Sequence, residues 1–273
     1  MEGRGWPLVW TGHLKPMEPR WETPVRYRLS LGEESVELNT LLGDEIQIRF
    51  EGEKACRHCG RRIRKTYNQG YCYPCFRDLA ENDLCIVKPH QCHFHEGTCR
   101  DESFGNAHCM QPHLVYLALS SGVKVGITRK TNAYNRWMNQ GAVKAVPIAE
   151  VPTRKESGEL ELHLSQYLSD RTDWRRMLKN EIEERDLLQV REEILPHIPE
   201  RFHPFLLEGE EVCRFRYPLL STPEKIKTIN LDKQEEVRGR LLGIKAQYLI
   251  LDIGVFNVRK FTGYRVQIAR MAG

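Results

Sequence analysis

The stretch HLVYLALSSGVKVGIT, residues 113–128, carries two apolar runs separated by Ser120, Ser121 and Gly122. Aliphatic, aromatic and β-branched runs broken by a short polar turn predict a β-hairpin. Side chains alternate across a strand, so Tyr116 faces away from Val115 and Leu117. Downstream, Asn132 is placed to cap a short helix ending near Gly141, and residues 146–151 read as a third strand. A second helix is expected over 158–169, because Leu160, Leu164, Tyr167 and Leu168 share one helical face. Glu161 sits at the edge of that apolar stripe, where it can lean over the sheet. Polar helix is expected to continue through Trp174 and Glu193, and Pro196 and Pro199 mark a linker.

Upstream of the hairpin the chain is rich in sulfur. Eight of its nine cysteines fall between Cys56 and Cys109, and five of its ten histidines lie between His90 and His113. Such clustering reads as metal binding before disulfide bonding. Cys56-x-x-Cys59 and Cys72-x-x-Cys75 are two pairs with twelve residues between them. Each pair can fold as a tight knuckle, and two knuckles aim four thiolates at one tetrahedral zinc. Cys85, Cys92, Cys99 and Cys109 follow with irregular gaps of six, six and nine residues. They supply four thiols for a second zinc, with His93, His95 or His108 as alternative ligands. Cys213 stands apart and reads as packed. A closed four-sulfur site has no position left for water, so both sites are expected to fold the chain, not to catalyse.

Between Lys54 and Arg77 there is no acidic residue. Arg57, Arg61, Arg62, Arg64 and Lys65, with Lys54 and Arg77 at its ends, share this stretch with Tyr67, Tyr71 and Tyr73. That combination of cations and rings can hold phosphates and stack bases. The chain ends read as β-rich: short alternating runs occupy 8–14, 25–31, 35–38 and 45–50, then 212–217, 225–231, 238–242, 247–253, 255–259 and 264–268. A small barrel or curled sheet is expected. Lys245, Arg259, Lys260 and Arg265 alternate there with Tyr248, Phe256, Phe261 and Tyr264, a pattern that suits a core as well as a nucleic-acid surface. The expected division is an N-terminal β region over 1–53, a zinc-binding module over 54–110, a core with trailing helix over 111–195, and a C-terminal β region over 196–273 able to pair with the first.

The predicted order over the core is strand, strand, helix, strand, helix. With Leu114-Val115-Tyr116 and Lys124-Val125-Gly126 in the hairpin, it resembles the GIY-YIG nuclease superfamily, the two triplets standing for the two halves of the signature. The resemblance implies a divalent-metal-dependent phosphodiesterase in which Arg136 is the short helix's arginine and Glu161 the glutamate that binds Mg²⁺ or Mn²⁺. Lys124 departs from it, standing where the superfamily has its second signature tyrosine. From end to end, including its cysteine quartets and the segments Arg136-Trp137 and Asp170-Arg171-Thr172, the chain is similar to an uncharacterised prokaryotic zinc-ribbon family.

The chemistry asked of these residues is coherent. One carboxylate can hold Mg²⁺, because the ion completes its octahedron with water and substrate oxygens. The Tyr116 phenol could orient or deprotonate the attacking water, and Lys124 and Arg136 could bind the phosphate. Arg129, closing the hairpin, joins the basic residues expected to meet DNA or RNA.

Composition narrows the alternatives. The chain is 40% hydrophobic and 29% charged, which excludes wholesale disorder. No run approaches the roughly 18 apolar residues of a membrane span, and the opening residues lack the apolar core of a signal peptide, so a cytoplasmic α+β protein is expected. Lysine and arginine number 41 against 37 acids, a net +4 too small to argue for nucleic acid without position. Two non-enzymatic readings compete with the nuclease: a nucleic-acid-binding protein with a degenerate core, and a zinc-stabilised protein–protein adaptor.

Overall fold

The structure, a computed structural model, describes residues 8–271. Residues 1–7 and 272–273, and with them most of the stretch read as lacking a signal peptide, lie outside the described residues. The chain divides into two compact units, one running to Phe76 and resuming at Arg216, the other spanning Arg77–Phe215. The cysteine-rich segment is therefore shared out, its first quartet in one unit and its second in the other.

The first unit holds strands β1 (Val9–His13), β2 (Glu18–Arg20), β3 (Arg26–Leu31), β4 (Glu34–Glu37) and β5 (Glu45–Lys54) from the start of the chain. From the end of the chain it holds β10 (Glu236–Lys245), β11 (Tyr248–Leu251), β12 (Gly254–Asn257) and β13 (Tyr264–Arg270). Six of them form one sheet in the order β1-β13-β5-β10-β11-β12, and β2-β3-β4 form another. Alternation explains the pairing. Ile48 of β5 lies opposite Val237 of β10 and Ile268 of β13, giving a row of fully buried cross-strand contacts. Gln247 adds a specific tie: its amide donates to the Met17 carbonyl at 2.8 Å, and its carbonyl accepts from the Met17 amide at 2.9 Å.

Of the small barrel or curled sheet expected here, no closed barrel forms among the described residues. The six-stranded sheet is open, ending at β1 and β12, because β2, β3 and β4 pair with one another instead of extending it. Residues 225–231, read as a strand, contribute only the bridge from Thr228 to Val255, since Ile229 and Leu231 alone of that run are buried. Beyond β5 the first two cysteine pairs sit on a ribbon in which Ala55 bridges Arg62 and Tyr67 bridges Tyr71, and helix α1 (Tyr73–Asp78) starts beside the last of them.

The second unit begins with short helices α2 (Leu84–Val87) and α3 (Glu102–His108) around the second quartet. Its sheet runs β7-β6-β8-β9, from β6 (His113–Leu119), β7 (Val123–Arg129), β8 (Lys144–Val151) and β9 (Cys213–Arg214). The hairpin read over 113–128 is β6 and β7, and all seven residues of the central β6 are buried. Helix α4 (Ala133–Asn139) follows β7 and α5 (Arg154–Leu164) follows β8, so the elements over 113–164 are strand, strand, helix, strand, helix. Asn132 occupies the N-cap of α4, although its side chain makes no capping bond. Helix α5 starts earlier than periodicity suggests, because Thr153 and Glu156 form a reciprocal capping box. The long polar helix is instead two short ones, α6 (Trp174–Leu178) and α7 (Leu187–Ile194), capped by Asp173 and Asp186. Val115, Leu117, Val125 and Ile127 pack against Leu160, Leu164, Leu187 and Val190 on one side of the sheet. No helix among the described residues is long and apolar enough to cross a membrane.

Candidate metal centre and candidate active site

The Cys56, Cys59, Cys72 and Cys75 thiols all lie within 4.8 Å of one another. Their spacing suits zinc: Zn–S bonds of about 2.3 Å in a tetrahedron place sulfurs about 3.8 Å apart, and Cys59 Sγ lies 3.8 Å from Cys72 Sγ. The knuckle turns back at Gly60, whose φ of +71° favours glycine, and its amide donates to the Cys56 carbonyl at 2.9 Å. The Cys72 amide points at Cys56 Sγ, 3.2 Å away. Burial would raise the Cys56 thiol, yet N–H donors of Cys59, Cys72 and His58 outweigh it and bring the group down to about 6. Cys75 moves the other way, raised by burial and then by the neighbouring thiols. Four sulfurs this close cannot all be thiolates without a cation among them. This cluster could bind zinc.

The second quartet is arranged differently. Cys85, Cys92, Cys99 and Cys109 line one small cavity of about 10 Å³, together with Asp83, His93, Phe94 and Gly105. Gly105 is needed there, because a β-carbon would meet the Phe94 ring at 2.5 Å. Of the candidate histidines, only His93 faces this cavity; Asp83, Cys85 and His93 offer ligand atoms within 4.8 Å of one another. His95 is exposed, and His108 stacks on Phe104 at 4.1 Å. Burial, and then the charge of Asp83, pushes Cys85 up to about 11.

Of the candidate catalytic residues, Tyr116 and Lys124 lie on the other side of the sheet from the apolar core, while Glu161 stands on α5, whose Leu160 and Leu164 pack into that core. Tyr116 pairs across strands with Gly126, and Ala118 pairs with Lys124, so Tyr116 and Lys124 share a face. Gly126 makes room for the phenol: a β-carbon there would stand 2.7 Å from the Tyr116 hydroxyl. Helix α4 covers this face, with Trp137 edge-on to the Tyr116 ring at 5.7 Å. The Tyr116 hydroxyl donates to Gln140 Oε1 at 2.8 Å. Tyr116 is fully buried, Lys124 is 5% exposed, Glu161 is half-buried and Arg136 is exposed.

Electrostatics tie the four together. Burial raises the Tyr116 phenol, the Arg136 guanidinium opposes that shift, and the Glu161 charge adds to it. Burial brings the Lys124 ammonium down to about 8, helped by Arg136 and resisted by Glu161 and Asp170. Burial raises the Glu161 carboxyl, while Arg136, Arg154 and Lys124 pull it down and Asp170 pushes it up. Three groups in this set were not read as site residues from the sequence: Gln140, Asp170 and Arg154. Asp170 is brought in because Ser169 bridges Lys124 in parallel, and Arg154 because it opens α5, its amide donating to the Cys109 carbonyl at 2.8 Å.

The basic residues read as a nucleic-acid surface fall into two places. Arg57 lies 5.3 Å from the Tyr71 ring centre and Lys65 5.1 Å from that of Tyr67, while Arg61, Arg62 and Arg64 are exposed on the same ribbon. Arg129 belongs to the other unit, opposite His113 at the end of the hairpin. A family model described as "Protein of unknown function (DUF2797)" matches residues 43–266. No curated protein and no solved structure matches the chain.

Proposed function

The chain belongs to the DUF2797 family, and we propose that it is a divalent-metal-dependent phosphodiesterase acting on DNA or RNA, folded in part around structural zinc. One observation carries this reading: Tyr116, Lys124, Arg136 and Glu161 come from four separate elements, and their charges act on one another. The element order over 113–164 and the resemblance to the GIY-YIG superfamily support it. Arg136, exposed, and Lys124, deeper in, form the cationic seat for a phosphate. Glu161 is the carboxylate available to Mg²⁺ or Mn²⁺, which when bound would neutralise charge developing on the phosphate. Tyr116 was expected to handle the water. A fully buried phenol held above its ordinary pKa and donating to Gln140 is better suited to positioning Gln140 and Arg136.

In the same reading the second quartet holds a second zinc. Its support is the single-atom size of the cavity that the four thiols line. Free thiols at metal-binding spacings suit a reducing compartment, which supports a cytoplasmic location.

The test is cleavage of labelled single-stranded, duplex and structured substrates with Mg²⁺ or Mn²⁺, comparing wild type with Glu161→Ala. Cleavage by the wild type, lost in the variant while substrate binding persists, is the expected result. A second reading is favoured by the complete burial of Tyr116 and by three cations around one or two acids: a site that binds phosphate without cutting. Salt-sensitive binding without cleavage would establish it. Absence of any salt-sensitive affinity would leave the adaptor reading.

A further inference from the structure

The first unit contains a groove that the candidate active site does not use. It encloses about 630 Å³ and is lined by Phe50, Gly52, Lys54, Arg62, Ile63 and Arg64, three cations and an aromatic ring with no acid among them. Phe50, Gly52 and Lys54 belong to β5 on either side of and at its bulge, and all three line the groove. The ribbon lies alongside, its Ile63 amide donating to the Lys54 carbonyl at 2.8 Å. Gly52 has a φ of +76° and nothing within 4 Å of where a β-carbon would stand, so the floor between ring and ammonium stays open.

The walls of the groove differ in how firmly they are held. Lys54 is fixed, 2.7 Å from Asp232 and 4.4 Å from the Tyr264 ring centre. Phe50 is braced by Tyr264 at 5.1 Å and remains half-buried. Arg62 and Arg64 are exposed. Arg62 reaches only Glu53, at 3.9 Å, and Arg64 makes no ion pair among the described residues. Arg62, at the bridge to Ala55, and Arg64, at the bend that follows, both line the groove. Arg64 has no ion pair among the described residues and Arg62 only the long one to Glu53, and a held aromatic ring lines the same groove.

We infer that this groove binds single-stranded nucleic acid, with Arg62 and Arg64 on backbone phosphates and Phe50 stacking one unpaired base. A ring set back in a groove meets a base only by its face, and a duplex keeps those faces covered. The inference rests on the reading that nucleic acid is the partner and adds which strand state is held and where.

The experiment is fluorescence anisotropy on the zinc-loaded full chain with a short labelled single-stranded DNA, and with the same sequence as a duplex, over a range of salt. Arg62→Gln/Arg64→Gln is expected to weaken single-strand binding roughly tenfold or more at low salt. It should also flatten log K against log salt by about 1.4, at about 0.7 per lost phosphate contact. Arg62→Lys/Arg64→Lys should keep the slope, which a merely structural role of the arginines would not produce. Phe50→Leu is expected to cost roughly tenfold on the single strand and nothing on the duplex. Wild-type affinity and slope in the glutamine double variant, or equal affinity for duplex and single strand, would overturn the inference. Hydrolysis of bis(p-nitrophenyl) phosphate separates it from the proposed catalysis: groove variants should hydrolyse this small diester as wild type does. A protein that binds through the groove but hydrolyses nothing loses only the enzymatic reading, and one that hydrolyses the diester with an indifferent groove loses only this one.

Discussion

The two units each hold four clustered cysteines and one deeply buried lysine, and they use them differently. In the first quartet, backbone amides are aimed at sulfur and hold Cys56 low, at about 6, so the knuckle is prepared for a cation before one arrives. In the second, burial dominates and holds Cys85 high, at about 11, around a cavity of single-atom size. The lysines repeat the contrast. Lys124 and Lys245 are both brought down to about 8, and the shift of Lys124 also carries the charges of Arg136, Glu161 and Asp170. For Lys245 burial alone is the cause, with the Tyr217 ring 5.2 Å away. Similar groups in similar burial therefore carry different implications, and what surrounds them decides which.

Removing sulfur should show the largest effect. Cys72→Ser is expected to drop bound zinc by about one ion per chain and to leave the ribbon amides unprotected in hydrogen exchange, since apparent binding energies of structural zinc are about 10–16 kcal/mol. Cys92→Ser tests the other quartet by the same metal analysis: a second loss of about one ion sustains the second site, and unchanged stoichiometry removes it.

The lysine contrast should appear next. A lysine whose folded pKa lies below its unfolded 10.5 destabilises while charged. That penalty is full below about pH 8 and fades as pH rises toward 10.5. Lys245→Met should therefore raise stability by about 3 kcal/mol at neutral pH, read by denaturant unfolding, with the gain vanishing above about pH 10.5. Lys124→Met should gain about as much, because its folded pKa is the same, but should weaken phosphate binding where Lys245→Met does not. Equal phosphate binding by the two variants would erase the distinction between them.

The smallest expected effect is steric. Gly126→Ala places a β-carbon against the Tyr116 hydroxyl, and should cost about 1–3 kcal/mol as a core overpacked by one methyl. Thermal unfolding reads this, and a cost near zero would mean that the phenol is free to move off Gln140.

Much of this arrangement was legible from residue spacing. The Cys-x-x-Cys pairs announce a knuckle because three residues of chain suffice to turn two thiols onto one point. The 113–128 hairpin and the stripe through Leu160 and Leu164 were readable because strand and helix periods are local properties. The start of α5 was missed because its capping box, Thr153 with Glu156, lies ahead of the apolar pattern. The long helix over 174–193 was misjudged because polar residues carry no period that marks a break. The barrel failed for a related reason: alternation says that a run will be a strand, but not which strand it will pair with.

By itself, then, the sequence determined the local devices: the first cysteine cluster, the hairpin, the buried face of α5 and the absence of a membrane-spanning helix among its apolar runs. Tertiary structure alone decided that β5 lies between β13 and β10, that Cys85, Cys92, Cys99 and Cys109 surround one cavity, and that Gln140 and Asp170 attend Tyr116 and Lys124. The division follows from range. A motif of three or four residues is set by bond geometry and periodicity. Convergence of residues tens of positions apart is set by which apolar faces bury against which, and that is a property of the packed chain.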